Sequence, residues 1–144
     1  MTYTSIRWGL AAVAAILAQV VLIALSVACV ALYSYTIHTG ETQAFYNEFA
    51  RASGPWVSLV AGGPAFFLMA RWIRRRAPAA ALRSAMAMCA FYLVVEVAVI
   101  LSWPGGLAAT LPVLPLAIGG LVLKVIGAWT GAGGASAHVP ARAA

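Results

Sequence analysis

The sequence predicts an all-α membrane protein: a bundle of four transmembrane helices, with both termini cytoplasmic and a short amphipathic helix in the outer loop. Hydrophobic residues make up 64% of the 144 residues and charged residues only 8%, whereas soluble domains carry about 25% charged residues. The apolar residues form four stretches that are long enough to cross a bilayer. All five tryptophans lie at the ends of these stretches, where an indole ring prefers the membrane interface. They are Trp8, Trp56, Trp72, Trp103 and Trp129.

The four stretches and their connections are interpreted as one transmembrane domain over residues 1–130. The predicted spans cover about residues 8–35, 55–72, 82–103 and 107–129. The remaining segment, 131–144, is built from small residues with no bulky apolar side chain, so it is predicted to be a disordered cytoplasmic tail.

Between the first two spans lies the only sizeable outer segment. Phe45, Phe49 and Ala52 recur there at helical spacing, which is typical of an amphipathic helix lying on a membrane surface. Gly54-Pro55 is predicted to end this helix and to begin the second span.

The distribution of basic residues predicts the orientation, because arginine and lysine resist translocation and mark the cytoplasmic side. Five arginines lie between the second and third spans or at their facing ends, and they are also candidates for contact with anionic lipid head groups. They are Arg71, Arg74, Arg75, Arg76 and Arg83. Arg7, Lys124 and Arg142 are assigned to the same side, and only Arg51 lies outside. The composition, rich in alanine and arginine, indicates a bacterial cytoplasmic (inner) membrane, and nucleic acid is not an expected partner.

Helix-breaking residues interrupt the second and fourth spans. The second contains Gly62, Gly63 and Pro64, and the fourth contains Pro112 and Pro115. One interpretation is a kink with close helix packing at the small residues. The other is a broken helix that lines a binding site near the middle of the membrane.

Glu96 is the only acidic residue inside a predicted span, roughly 10 Å below the outer interface at 1.5 Å per residue. A carboxylate at that depth is costly unless it is paired or takes up a proton. Tyr92 shares its helical face, and Gln19 of the first span lies at a similar depth. We therefore predict that Gln19 and Glu96 face each other in one internal patch, with Tyr92 and the interrupted spans alongside.

Three interpretations of Glu96 follow from this placement. In the first, a protonated Glu96 makes a structural hydrogen bond with Gln19. In the second, Glu96 releases and takes up a proton, or binds a cationic substrate, during transport; its replacement by glutamine would then leave the fold intact and abolish activity. In the third, it pairs with a cation of another subunit or partner protein.

No cofactor, metal site or enzymatic activity is expected. His38, Glu41 and Glu48 share the outer segment, but their spacing matches no ligand pattern, so they are interpreted as solvated surface residues. The sequence contains no nucleophile–base pair and no phosphate-binding loop.

In having a single intramembrane glutamate, this chain is similar to small four-span drug exporters, which work as dimers. Their glutamate lies in the first span, where this chain has Gln19. We predict a non-catalytic membrane subunit or assembly protein that binds a second copy or a partner membrane protein. The alternative is a small oligomeric proton-coupled transporter that uses Glu96.

Overall fold

The computed structural model describes residues 5–102 and 111–134. Within these residues the chain is helical and contains no strand. Four helices are long and apolar enough to cross a membrane, which confirms the predicted all-helical class and the number of candidate spans. They are α1 (Trp8–Thr36), α2 (Gln43–Arg76), α3 (Ala81–Ser102) and α4 (Leu114–Gly131), with short 3-10 turns at Pro78–Ala80 and Leu111–Val113.

The predicted helix boundary at Gly54-Pro55 is wrong, because α2 begins at Gln43 and continues through Pro55 to Arg76. Thr42 caps its amino end, where Oγ1 accepts a hydrogen bond from the Phe45 N–H at 3.4 Å. Proline removes one N–H donor from the helix, a loss that packed apolar helices can tolerate. The 34 residues of α2 measure about 51 Å at 1.5 Å per residue, well over the roughly 30 Å of a hydrocarbon core.

The amino end of α2 folds against the carboxyl end of α1 through aromatic side chains. Phe49 stacks on Tyr33 with ring centroids 3.8 Å apart and an interplanar angle of 5°. The Tyr46 hydroxyl donates a hydrogen bond to the His38 carbonyl at 2.5 Å and accepts one from the Glu41 N–H at 3.2 Å. These contacts fix the connection between α1 and α2, so Phe49 serves helix packing rather than a separate surface helix.

Helices α2 and α4 form the closest pair of the bundle, and they run parallel, since Gly120 faces Leu59 while Gly131 faces Phe67. A Cβ atom at Gly127 would overlap the carbonyl oxygen of Gly63. Small residues allow the two backbones to approach this closely. In a bilayer, such close packing takes the place of the hydrophobic effect as a driving force for helix association.

α1 packs on α2 and α3 along a stripe of small side chains. The buried residues of α1 are Ala11, Ala14, Ala15, Ala18 and Leu22. Phe66, Ile73 and Met88 are the largest apolar side chains buried completely among the described residues, and they belong to the same core cluster as the buried residues of α1.

The structure favours close packing over a broken helix at the helix-breaking residues. α2 is continuous through Gly62, Gly63 and Pro64, and its glycines face α4. Pro115 is the second residue of α4, and Pro112 lies in the 3-10 turn before it. Both were expected near the middle of a span; they lie instead at the amino end of α4, where a missing N–H costs no helical hydrogen bond.

Two further expectations concern residues that lie partly outside the described ranges. Of the predicted tail, Gly131–Gly134 is described, and it closes α4 through hydrogen bonds such as Ala132 N–H to the Ala128 carbonyl at 3.0 Å. Residues 135–144, like Trp103, lie outside the described ranges.

Candidate functional site

The centre of the bundle contains a buried lysine. Lys124 of α4 is only 1% exposed, and it is one of two buried polar or charged residues in the described part of the chain. Its Nζ donates hydrogen bonds to Ser58 Oγ of α2 at 2.8 Å and to Tyr92 Oη of α3 at 3.0 Å. It also lies 3.6 Å from Glu96 Oε1 of α3. Three helices therefore converge on one ammonium group, and we call these four residues the Lys124 cluster.

Glycine and aromatic residues make room for the lysine side chain. A Cβ atom at Gly62 would lie 2.8 Å from Lys124 Cε, so the methylene chain passes over a helix surface without a side chain. The ammonium lies 4.5 Å from the Tyr92 ring centroid, within range of a cation–π interaction. Phe66 in turn holds the Tyr92 ring edge to face, with centroids 4.9 Å apart.

The directions of the helices bring the two charges together. α3 and α4 are antiparallel, since α3 runs opposite to α2 and α4 runs parallel to it. A Cβ points toward the amino end of its own helix. Lys124 and Glu96 therefore lean toward each other along the helix axes, and their charged groups lie 3.6 Å apart.

The two members of the ion pair differ in exposure. The Lys124 side chain is 2% exposed, whereas that of Glu96 is 30% exposed. Lys124 therefore lies inside the bundle, whereas Glu96 lies at its surface with one side of the carboxylate facing outward. A separation of 3.6 Å allows strong electrostatic attraction but exceeds a normal charge-assisted hydrogen bond.

The structure brings Glu96 and Tyr92 together as expected, but it does not pair Glu96 with Gln19. The Gln19 Oε1 atom is buried and has no hydrogen-bond partner among the described residues. The cation beside Glu96 is Lys124 of the same chain. Lys124, assigned from the sequence to the cytoplasmic side, lies within the buried part of α4.

Two features of the sequence point to Lys124 in retrospect. It lies inside the predicted fourth span, seven residues before the end of α4, which is roughly 10 Å at 1.5 Å per residue. A charge inside a span needs a countercharge, and Glu96 is the only acid inside any of the four spans predicted from the sequence. Ser58 offered no comparable signal, because a membrane serine usually bonds to its own helix.

The acidic residues at and after the connection between α1 and α2 remain separate from this cluster. His38 Nδ1 lies 3.9 Å from Glu41 Oε1, and both side chains are nearly half exposed. Glu48 is exposed. In the described part of the chain, no three histidine, cysteine, aspartate or glutamate side chains come close enough to hold a metal ion.

The predicted head-group residues collect at one end of the bundle. Four lie in the last turns of α2 and one in the first turn of α3, and all are exposed. They are Arg71, Arg74, Arg75, Arg76 and Arg83.

The sequence matches no protein-family model, no curated protein and no solved structure.

Removing the Tyr92 hydroxyl tests the hydrogen bonds of the cluster. Tyr92→Phe keeps the ring against Phe66 and loses one acceptor for Lys124, so we expect a loss of about 1 kcal/mol in unfolding free energy, the range for interhelical hydrogen bonds in membranes. Unfolding in mixed detergent micelles, followed by circular dichroism, measures it. Tyr35→Phe is the matched control, because Tyr35 is 82% exposed; equal stability of the two variants would contradict the prediction.

Proposed function

We propose that this protein is a non-catalytic subunit or assembly protein of a bacterial inner membrane, and that it binds a partner membrane protein or a second copy. Its role is to present a rigid helical surface to that partner. The observation that carries the proposal is the Lys124 cluster, in which a buried ammonium contacts polar groups of two other helices of the same chain. We place both termini and the arginine-rich end in the cytoplasm, because basic residues remain on that side.

The cluster supports a structural role because it is enclosed. Lys124 is almost completely buried, and its three polar partners come from α2 and α3. Removing one partner from such a pair is far more costly than the pair is stabilising, so the interaction specifies one arrangement of the helices. A polar group that fixes register in an apolar bundle suits a scaffold, since a partner then meets a surface of constant shape.

The outward face of α1 supports the binding role. Every third or fourth residue on that face is β-branched, and these side chains are 48% to 62% exposed. They are Val13, Ile16, Val20, Ile23 and Val27. Valine and isoleucine occupy mainly one rotamer in a helix, so they lose little side-chain entropy when another helix packs on them. The 3-4 spacing is that of a helix–helix seam.

Site-specific photocrosslinking in native membranes tests this proposal. A photoreactive residue at Val20 lies on the α1 seam, and one at Ile126 of α4, which is 50% exposed, is the matched control on another face. We expect a discrete protein adduct from Val20 and only lipid adducts from Ile126. A second, differently tagged copy of the chain distinguishes self-association from a different partner. Lipid adducts alone at both positions would contradict the proposal.

The exposure of Glu96 favours a second candidate, a small oligomeric proton-coupled transporter. Its carboxylate is the exposed member of the pair, and the 3.6 Å separation leaves room for rearrangement. Protonation of Glu96 would remove the attraction that holds Lys124, and so would couple proton uptake to movement of α4 against α3.

Carbodiimide labelling distinguishes the two candidates, because this reagent attacks protonated carboxyls in apolar surroundings. The transport candidate requires that Glu96 is labelled in membranes, and more strongly at pH 5 than at pH 9. The scaffold proposal expects no labelling of Glu96 at either pH, with the exposed Glu41 and Glu48 as comparisons. Mass spectrometry of the digested protein reports all three sites.

A further inference from the structure

Two cavities lie side by side at the arginine-rich end of the bundle. The first has a volume of about 480 Å³, and its lining includes Arg74, Arg83 and Gly133. The second has a volume of about 310 Å³, and its lining includes Arg7 and Arg76. One segment, 78–80, forms a wall of both. Each cavity therefore contains two arginines, and the two are separated by a single 3-10 turn.

Two of these four arginines, Arg74 and Arg76, are positioned by neighbouring residues. The Arg74 guanidinium lies against Gly133, which has φ +88°, a conformation that favours glycine. A Cβ atom there would be 2.8 Å from Arg74 Nη1, so glycine also leaves the space that this side chain occupies. Arg76 extends along Trp72, with its Cζ 5.7 Å from the ring centroid. A tryptophan at this level is typical of the membrane interface.

The electrostatic field at this end favours an anion. The chain contains only three acidic residues, Glu41, Glu48 and Glu96. Glu41 precedes α2, and Glu48 lies in the end of α2 that is opposite to the arginines. Glu96 lies beyond the middle of α3. No acidic side chain lines either cavity. Arginine is well suited to phosphate, because its planar guanidinium offers two parallel donors.

We propose that the paired cavities bind one phospholipid with two phosphate groups, a diphosphatidylglycerol, with one phosphate in each cavity. The two cavities share the wall 78–80, so phosphates bound on its two sides are neighbours that a short glycerol bridge can join. The cavities lie where α2 ends and α3 begins, so the acyl chains can continue along the apolar helix surfaces. Basic pockets between transmembrane helices are suited to such head groups. This site is independent of the Lys124 cluster and of the proposed function.

Native mass spectrometry of the purified full chain in detergent micelles tests the proposal. The protein is titrated with diphosphatidylglycerol, with phosphatidylglycerol at equal phosphate, and with inorganic pyrophosphate. We expect the two-phosphate lipid to bind at least roughly tenfold more tightly than the one-phosphate lipid, because its second phosphate binds intramolecularly. If pyrophosphate binds as tightly as the lipid, the cavities are a site for a free phosphate and the lipid assignment is wrong.

Two double variants remove the same charge from the same helix. R74Q/R76Q removes one arginine from each cavity, whereas R71Q/R75Q removes two arginines that line neither. We expect R74Q/R76Q to lower the preference for the two-phosphate lipid to about twofold or less, while R71Q/R75Q weakens both lipids alike and keeps the preference. Circular dichroism verifies that both variants are folded. Equal preferences in the two variants, or no preference in the unaltered protein, would overturn the proposal.

Discussion

Glu96→Gln is expected to lower the unfolding free energy of the bundle by about 3 kcal/mol, the scale for breaking a buried ion pair by removing one partner. The variant leaves Lys124, which is only 1% exposed, without its countercharge. Ser58 and Tyr92 still accept its hydrogen bonds, but neither hydroxyl carries a negative charge. The loss therefore reflects the stranded ammonium more than the intrinsic strength of the pair.

Removing both charges should restore most of this loss. We expect E96Q/K124M to lie within about 1 kcal/mol of the unaltered protein, because a paired charge can be replaced by neutral side chains at little cost. Lys124→Met alone should cost less than Glu96→Gln alone. The reason is the exposure of Glu96, which at 30% can reach water or a proton more readily than the enclosed lysine.

Unfolding of the four proteins in mixed detergent micelles gives the coupling free energy of this double-mutant cycle. Glu48→Gln is the control, since Glu48 is an exposed acid near the amino end of α2 and surface substitutions stay within about 0.5 kcal/mol. If the losses of the two single variants simply add in the double variant, the two charges do not interact and the cluster is misassigned.

The second large effect is expected at Gly127. A Cβ atom there would overlap the Gly63 carbonyl oxygen and would lie 3.2 Å from the Phe67 nitrogen. Both are backbone atoms, so no side-chain rotation relieves the overlap and α2 and α4 must separate. We expect Gly127→Ala to cost about 3 kcal/mol, the upper part of the usual range for overpacking, and to weaken the contact of Lys124 with Ser58.

Gly54→Ala provides the matched control, because Gly54 is also inside a helix and a Cβ atom there would have nothing within 4 Å. Alanine favours the helix over glycine, but its Cβ meets the ring of Pro55, so this variant should stay within about 1 kcal/mol of the unaltered protein. Unfolding in micelles measures both variants in parallel. A Gly127→Ala variant as stable as Gly54→Ala would show that the α2–α4 approach is not as close as described.

The candidate site was only partly predictable from the sequence. Glu96 and Tyr92 were found because they lie four residues apart on one face of a predicted helix, a relation that depends only on helical periodicity. Their partner was predicted to be Gln19, on the basis of similar depth alone. Depth does not specify which helices are neighbours, and side chains from different levels can lean toward each other. Lys124 therefore meets Glu96, while the Gln19 oxygen remains without a partner in the described ranges.

Helix boundaries likewise depend on tertiary contacts as well as on the local sequence. Gly54-Pro55 predicts a helix boundary, yet α2 continues through this point. Phe49 stacks on Tyr33 and so holds the preceding turns in helical conformation. Gly62 and Gly63 were correctly recognised as candidates for close packing. Only the structure identifies their partner as α4.

The sequence by itself determined that the protein is helical and has four segments able to cross a membrane, because hydrophobic length and composition are properties of each segment separately. Only the tertiary structure decided that α2 and α4 lie in backbone contact, that Lys124 is buried, and that its charge is balanced by Glu96. Those features depend on which faces of the helices meet. In an apolar bundle, many pairings of helices bury similar surfaces. The steric fit at a few glycines and the polar partners of one ammonium group select one of these pairings.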